Sequence, residues 1–498
     1  MGNGDSWQPA SPTFGNDSMP ELNDEYAHLA CYNKFTLRHD PGIRDFWGES
    51  IDRFWTAMFD DTTGCIGGAI WAWTDDIFYL PDTAVGYGPW GPVDGWRRKK
   101  PEFWSLKKAY SPVRMLRYYK DSMNLNLTLA NRYDHTTLAR ISIKYRYKGR
   151  DYSLRLPHTH PHKTNKYVVP YDQGAESQYF AFYLDTMLID AYTIPLKQPD
   201  ISLPLFKSED LNLQKTDKTT KVGNARFNVE FDNTTGKIIS AKGDNDLLIT
   251  GGPFLNLGYK NYEQSWESQV PKNICAIIEE SLWKLETFNC TKKGKNILIE
   301  AAGHYDTIAF AYNITINPEG QLFTNFSVNT VPANASVIGL RYSIPSSADT
   351  IQWLRRGYWE HYPSDHIGRL SGTASKYYPV KEKYREAPTC NWKDESKDFF
   401  LNGVQNNDSI FSFASRDFVS RKMNIYSYTV HFSHAANRLT VVSFGSHSAK
   451  IDLMKNGGNY LCVDNFWRYP DLSWGNYSGP EVPKTFRGEN TLVICPGN

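Results

Sequence analysis

Residues Cys65 to Trp73 read C-I-G-G-A-I-W-A-W, a continuous apolar run too short for a buried helix. Such a run is expected of a strand buried on both faces in a parallel sheet. Upstream, Asp40-Pro41 predicts a helix start, a capping acid followed by proline in the first turn. Trp47, Ile51, Phe54, Trp55, Met58 and Phe59 follow at helical spacing, one apolar stripe, and Gly64 ends the helix. Downstream, Pro101 opens a second short helix with Phe103, Leu106 and Tyr110 on one side, closed at Ser111-Pro112. With Pro20–Asp24 read as a strand, the order is strand, helix, strand, helix: two βα units.

Beyond residue 113 the period falls to two. Leu125, Leu127 and Leu129 alternate with polar residues, as do Ile141, Ile143, Tyr145 and Tyr147 before a Lys148–Asp151 turn. This predicts a β-sandwich of immunoglobulin-like size over residues 112–198. Pro195, Pro199 and Pro204 mark a linker, and strand patterns from 205 to 498 without an internal break predict one large sandwich. Two parallel βα units cannot close a barrel, and a two-stranded parallel sheet is not stable alone. A full (β/α)8 barrel takes about 250 residues, so residues 1–111 are expected to be the end of a barrel or to dock on another chain.

Bulk composition excludes some functions. The 55 basic and 54 acidic residues leave net +1, which offers no field for nucleic acid or anionic lipid. Seven cysteines are too few and too scattered for a disulfide framework, and no CxxC or HExxH spacing suggests zinc. Neither a signal peptide nor an apolar run long enough to span a membrane is evident, so the compartment stays open. Nine N-x-S/T sequons, from Asn16 to Asn476, only weakly favour a secretory route. Aromatics make up 14% of the chain. Large cores explain that, and so do sugar-stacking surfaces, since the apolar face of a pyranose lies flat on a ring.

E-Y-A-H at Glu25–His28, then G-G-A-I-W-A-W-T-D at Gly67–Asp75 and V-D-G-W-R-R-K-K-P-E-F-W at Val93–Trp104, resemble the end of the barrel in glycoside hydrolase family 2, β-galactosidase branch. The resemblance implies a multidomain, mainly β protein. It comprises a partial (β/α)8 barrel remnant at 1–111, an immunoglobulin-like sandwich at 112–198 and a large galactose-mutarotase-like sandwich at 205–498. It implies retaining hydrolysis of terminal β-galactosides with Glu25 as nucleophile; a second carboxyl about 5–5.5 Å away would protonate the leaving oxygen. That acid/base, and most ligands of the magnesium and sodium ions the family often uses, would lie before Met1. The chain is therefore expected to be a C-terminal portion, inactive alone, with no cofactor of its own. His28 would bind a sugar hydroxyl, and Trp73 or Trp71 would stack on the sugar. Asn33, in a Cys31-Tyr32-Asn33 turn that departs from the family pattern, and Asp94, which stands where the family has Asn, complete the expected substrate contacts.

Three alternatives stand beside this reading. The chain could be a non-catalytic carbohydrate binder, a subunit complementing a partner with the missing strands, or a β-glycosidase acting on another polysaccharide. Asp75 and Asp76 read equally as orienting groups or loop caps. His158, His160 and His162 suit an exposed hairpin connection better than a metal site. Gly357–Arg369 and Phe466–Trp474 are aromatic and polar enough for a binding rim, with core packing the equal alternative.

Overall fold

The computed structural model describes residues 18–23, 26, 40–80, 84–88, 91–199, 201–259, 276–377, 415–453, 458–468 and 480–497, and the account below concerns these. The chain is mainly β. Near its start β1 (Glu21–Asn23) pairs in parallel with β2 (Cys65–Gly68), with helix α1 (Ile43–Asp60) between them in sequence. The hairpin of β3 (Asp76–Tyr79) and β4 (Ala84–Gly88) follows, then helix α2 (Pro101–Ala109).

The apolar stripe places α1 as its spacing requires: Trp47, Ile51, Phe54 and Met58 are buried with Tyr26 and with Leu106 and Ala109 of α2. The two helices cross closely at Gly48, where an added methyl would collide with Ser105. Three expectations need correction. Asp40 does not cap α1; its carboxylate accepts from Arg421 N (2.8 Å) and Arg421 Nε (3.0 Å), and Gly42 stands at the cap position without a side-chain bond. The long-range guanidinium offers a charged partner that a helix N–H cannot match. The strand stops at Gly68 instead of reaching Trp73, and it is not buried on both faces, since Ile66 is 67% exposed. Finally, the described residues hold one parallel strand pair, with α1 packed against it, and no barrel wall.

The next strands are β5 (Val113–Lys120), β6 (Asn124–Asn131), β7 (Ile141–Tyr147), β8 (Arg150–Arg155), β9 (Thr164–Pro170), β10 (Ser177–Leu184) and β11 (Met187–Pro195). They form a three-stranded sheet ordered β5-β6-β9 and a four-stranded sheet ordered β11-β10-β7-β8. Leu125, Leu127 and Leu129 on one sheet meet Ile141, Ile143, Phe180 and Phe182 on the other in one core, as strand alternation dictates. An irregular stretch containing Pro199 and Pro204 then leads to an 18-stranded antiparallel sheet folded back on itself around a single large core, while the first proline of the expected linker, Pro195, ends β11.

One strand of that sheet, Arg438–Leu453, serves two neighbours. Its first part pairs with Thr485–Cys495 and its last part with Asn459–Trp467. Between them the register with Lys422–Phe432 shifts: Ser427 faces Val442, while Ile425 faces His447. The extra residues form a bulge, and Gly445 takes the left-handed φ of 81° that such a bulge needs.

Candidate functional site

The bulge makes the site. It turns Phe444 outward to 91% exposure, and Gly445 gives room for the ring of Tyr426 on the adjacent strand, which an added methyl would meet at 3.2 Å. Tyr426, Phe444 and Asn424 form one wall of a 1530 Å³ cavity at the seam between the two sandwiches. Tyr118 and Lys120 of β5, the proline-containing stretch, Arg356–Glu360 and Glu49 of α1 line the rest. Burial raises the Tyr118 hydroxyl above its ordinary range, and Glu360 and Tyr426 nearby push it further. Burial also raises the Glu49 carboxyl, against the pull of Arg53.

The Gly357–Arg369 segment holds this seam together. Tyr358 donates its hydroxyl to Asp52 of α1 (2.8 Å), and Arg114 of β5 pairs with the same carboxylate. Thr193 of β11 and His361 Nδ1 lie 3.0 Å apart. Arg355 Nη2 reaches Asp45 of α1 at 2.5 Å. His366 donates from Nε2 to the Pro101 carbonyl (3.2 Å) and accepts at Nδ1 from Gly368 N (2.9 Å). Its aromatics divide between the two expected roles. Tyr362 is buried away from the cavity, while Tyr358 and the largely buried Trp359 border it.

Of the residues the sequence put forward, Glu25, His28 and Asn33 lie outside the described residues. Trp71 and Trp73 are 53% and 59% exposed, with Trp73 edge-on to Phe103 at 5.7 Å. Both lie beyond the end of β2, so strand alternation does not set their relative orientation. Asp94 is buried in its own loop, accepting from Trp96 N (2.9 Å), Arg98 N (2.8 Å) and Arg98 Nε (2.7 Å). Asp75 likewise organises a loop, accepting from Gly91 N (3.0 Å) and Lys100 Nζ (2.6 Å). His162 bonds Asp134 at 2.9 Å and stacks on Phe59, apart from the edge-to-face pair of His158 and His160. Among the described residues no group of three potential ligands could hold a metal. Phe466 joins the core and Trp467 packs edge-on against Phe46 at 4.8 Å; residues 469–474 lie outside the described residues.

Sequence reasoning missed Tyr118, Tyr426 and Phe444. One signal was present: the isolated Gly445 within a strand pattern marks a bulge. Nothing local linked it to β5.

No family model and no curated protein matches this chain. Similar solved structures include a putative aldose 1-epimerase from Escherichia coli K12, at 10% identity over 57% of this chain and 99% of that one, TM-score 0.29. A galactose mutarotase-like protein from Lactobacillus casei shows 9% identity over 57% and 99%, TM-score 0.28. An α-mannosidase from Enterococcus faecalis shows 9% identity over 77% and 36%, TM-score 0.31. Likeness this weak assigns no function. The expected identity as a family 2 β-galactosidase is corrected, and with it the retaining hydrolysis and the glycosidase class. No sequence match supports that family, and the structures named are epimerase, mutarotase-like and α-mannosidase proteins.

Proposed function

We propose that this chain binds carbohydrate, without cleaving it, in the cavity between its two sandwiches, taken as domains over 112–198 and 205–498. The observation that carries the reading is that Tyr426 and the 91%-exposed Phe444 line a cavity that also holds Tyr118 and Glu360. Solvent-facing rings offer flat apolar surface to the C–H face of a sugar. Beside them Glu360, Asn424, Lys120 and Arg356 supply acceptors and donors for hydroxyls. An apolar protein ligand would not use that density of charge, and the near-zero net charge gives nucleic acid no purchase.

Trp71 and Trp73 supply a second exposed aromatic surface that we include in the same function. The test is a glycan array probed with the intact chain, followed by calorimetry on each hit. Saturable binding that Tyr426→Ala weakens, with no release of nitrophenol from an aryl-β-galactoside, is the expected result. Absence of binding to every glycan, or hydrolysis of the aryl-galactoside, contradicts it.

A further inference from the structure

Building on the carbohydrate reading, we infer that the ligand is an oligosaccharide of several units lying along one groove, of which the 1530 Å³ cavity is only one end. A second cavity of 780 Å³ lies on the other side of the Tyr358-Trp359-Glu360 segment, and these three residues line both. Two further walls run through both cavities. Helix α1 presents Glu49 to the first and Asp52, Thr56, Phe59 and Asp60 to the second, successive positions on one helical stripe. Strand β5 presents Tyr118 and Lys120 to the first and Arg114, Met115 and Leu116 to the second.

From Glu49 to Asp60 the helix rises about 16 Å at 1.5 Å per residue, several sugar-ring widths. Pockets for single small ligands run to about 1,000 Å³, and the first cavity alone exceeds that.

Each end has its own aromatic platform. In the first it is Tyr426 and Phe444. In the second it is the half-exposed ring of His162, backed by Phe59 on which it stacks at 5.0 Å and 11°, with the Arg132 guanidinium 4.9 Å from the Phe59 ring centroid. The partition between them is fixed, because Tyr358 and Arg114 both hold Asp52. A chain long enough to cross the partition reaches both platforms, whereas a monosaccharide reaches one.

Calorimetric titration with gluco-, galacto-, manno- and xylo-oligosaccharides of one to six units tests this. For the series that binds, affinity rises about tenfold or more between one unit and six. Phe59→Ala, and independently the exposed-side variant His162→Ala, weaken the hexamer several-fold and leave the monosaccharide unchanged. Phe444→Ala weakens both. Equal affinity for monomer and hexamer, or a hexamer indifferent to both Phe59→Ala and His162→Ala, overturns the groove while leaving the carbohydrate reading intact. No binding at any length removes that reading as well.

Discussion

Arg355 Nη2 and Asp45 Oδ2 lie 2.5 Å apart although 310 positions separate them in sequence. The bond ties the last residue of a large-sandwich strand to the first turn of α1, and both side chains are buried. Removing one partner strands the other charge without water. Arg355→Met is expected to cost about 3–5 kcal/mol in urea unfolding. Combining it with Asp45→Leu should recover part of that loss; a single variant as stable as the parent contradicts the assignment.

Gly368 sits against the same carboxylate: a methyl built there falls 2.3 Å from Asp45 Oδ1. Gly368→Ala therefore forces Asp45 aside or shifts the Gly357–Arg369 segment. Destabilisation of about 1–3 kcal/mol is expected. The check is thermal melting, with Gly174→Ala as a control for crowding because the nearest atom to its added methyl, Asp172 Oδ1, is at an ordinary 3.5 Å.

Acid weakens this seam through His366. Burial holds its ring below the usual imidazole range, and the Gly368 N–H already occupies Nδ1. The unfolded chain takes up the proton first, near pH ~6.5. The stabilising contribution is therefore full above that pH and is lost as pH falls below it. Urea midpoints at pH 7.5 and 5.5 should differ less for His366→Gln than for the parent. An unchanged difference would show that His366 does not carry the effect.

At the cavity mouth, stability and binding should separate. Phe444 is exposed, so Phe444→Ala should leave stability within about 0.5 kcal/mol. Sugar affinity should fall about tenfold. Gly445→Ala should weaken binding too, because it strains a φ of 81° and presses on Tyr426.

What could be read from the sequence was local. The 3.6-residue stripe placed Trp47, Ile51, Phe54 and Met58 on the buried side of α1, and period-two alternation buried Leu125, Leu127 and Leu129. Contacts between distant segments were not legible. Asp40 looked like a cap because its neighbours are helical, but its partner Arg421 stands 381 positions away. The cavity draws Tyr118, Tyr358 and Tyr426 from three separate stretches, and no spacing in the chain links them. The short motifs at Glu25–His28 and Gly67–Asp75 suggested a family that no sequence match supports, and of the first motif only Tyr26 lies within the described structure.

The most direct test follows tryptophan fluorescence as glycans from the array are added, with Trp359→Phe identifying the part of the change that belongs to the indole bordering both cavities. The account predicts a saturable change for at least one glycan, weakened together by Tyr426→Ala and Phe444→Ala. A saturable change that neither variant alters would place the sugar elsewhere and contradict it.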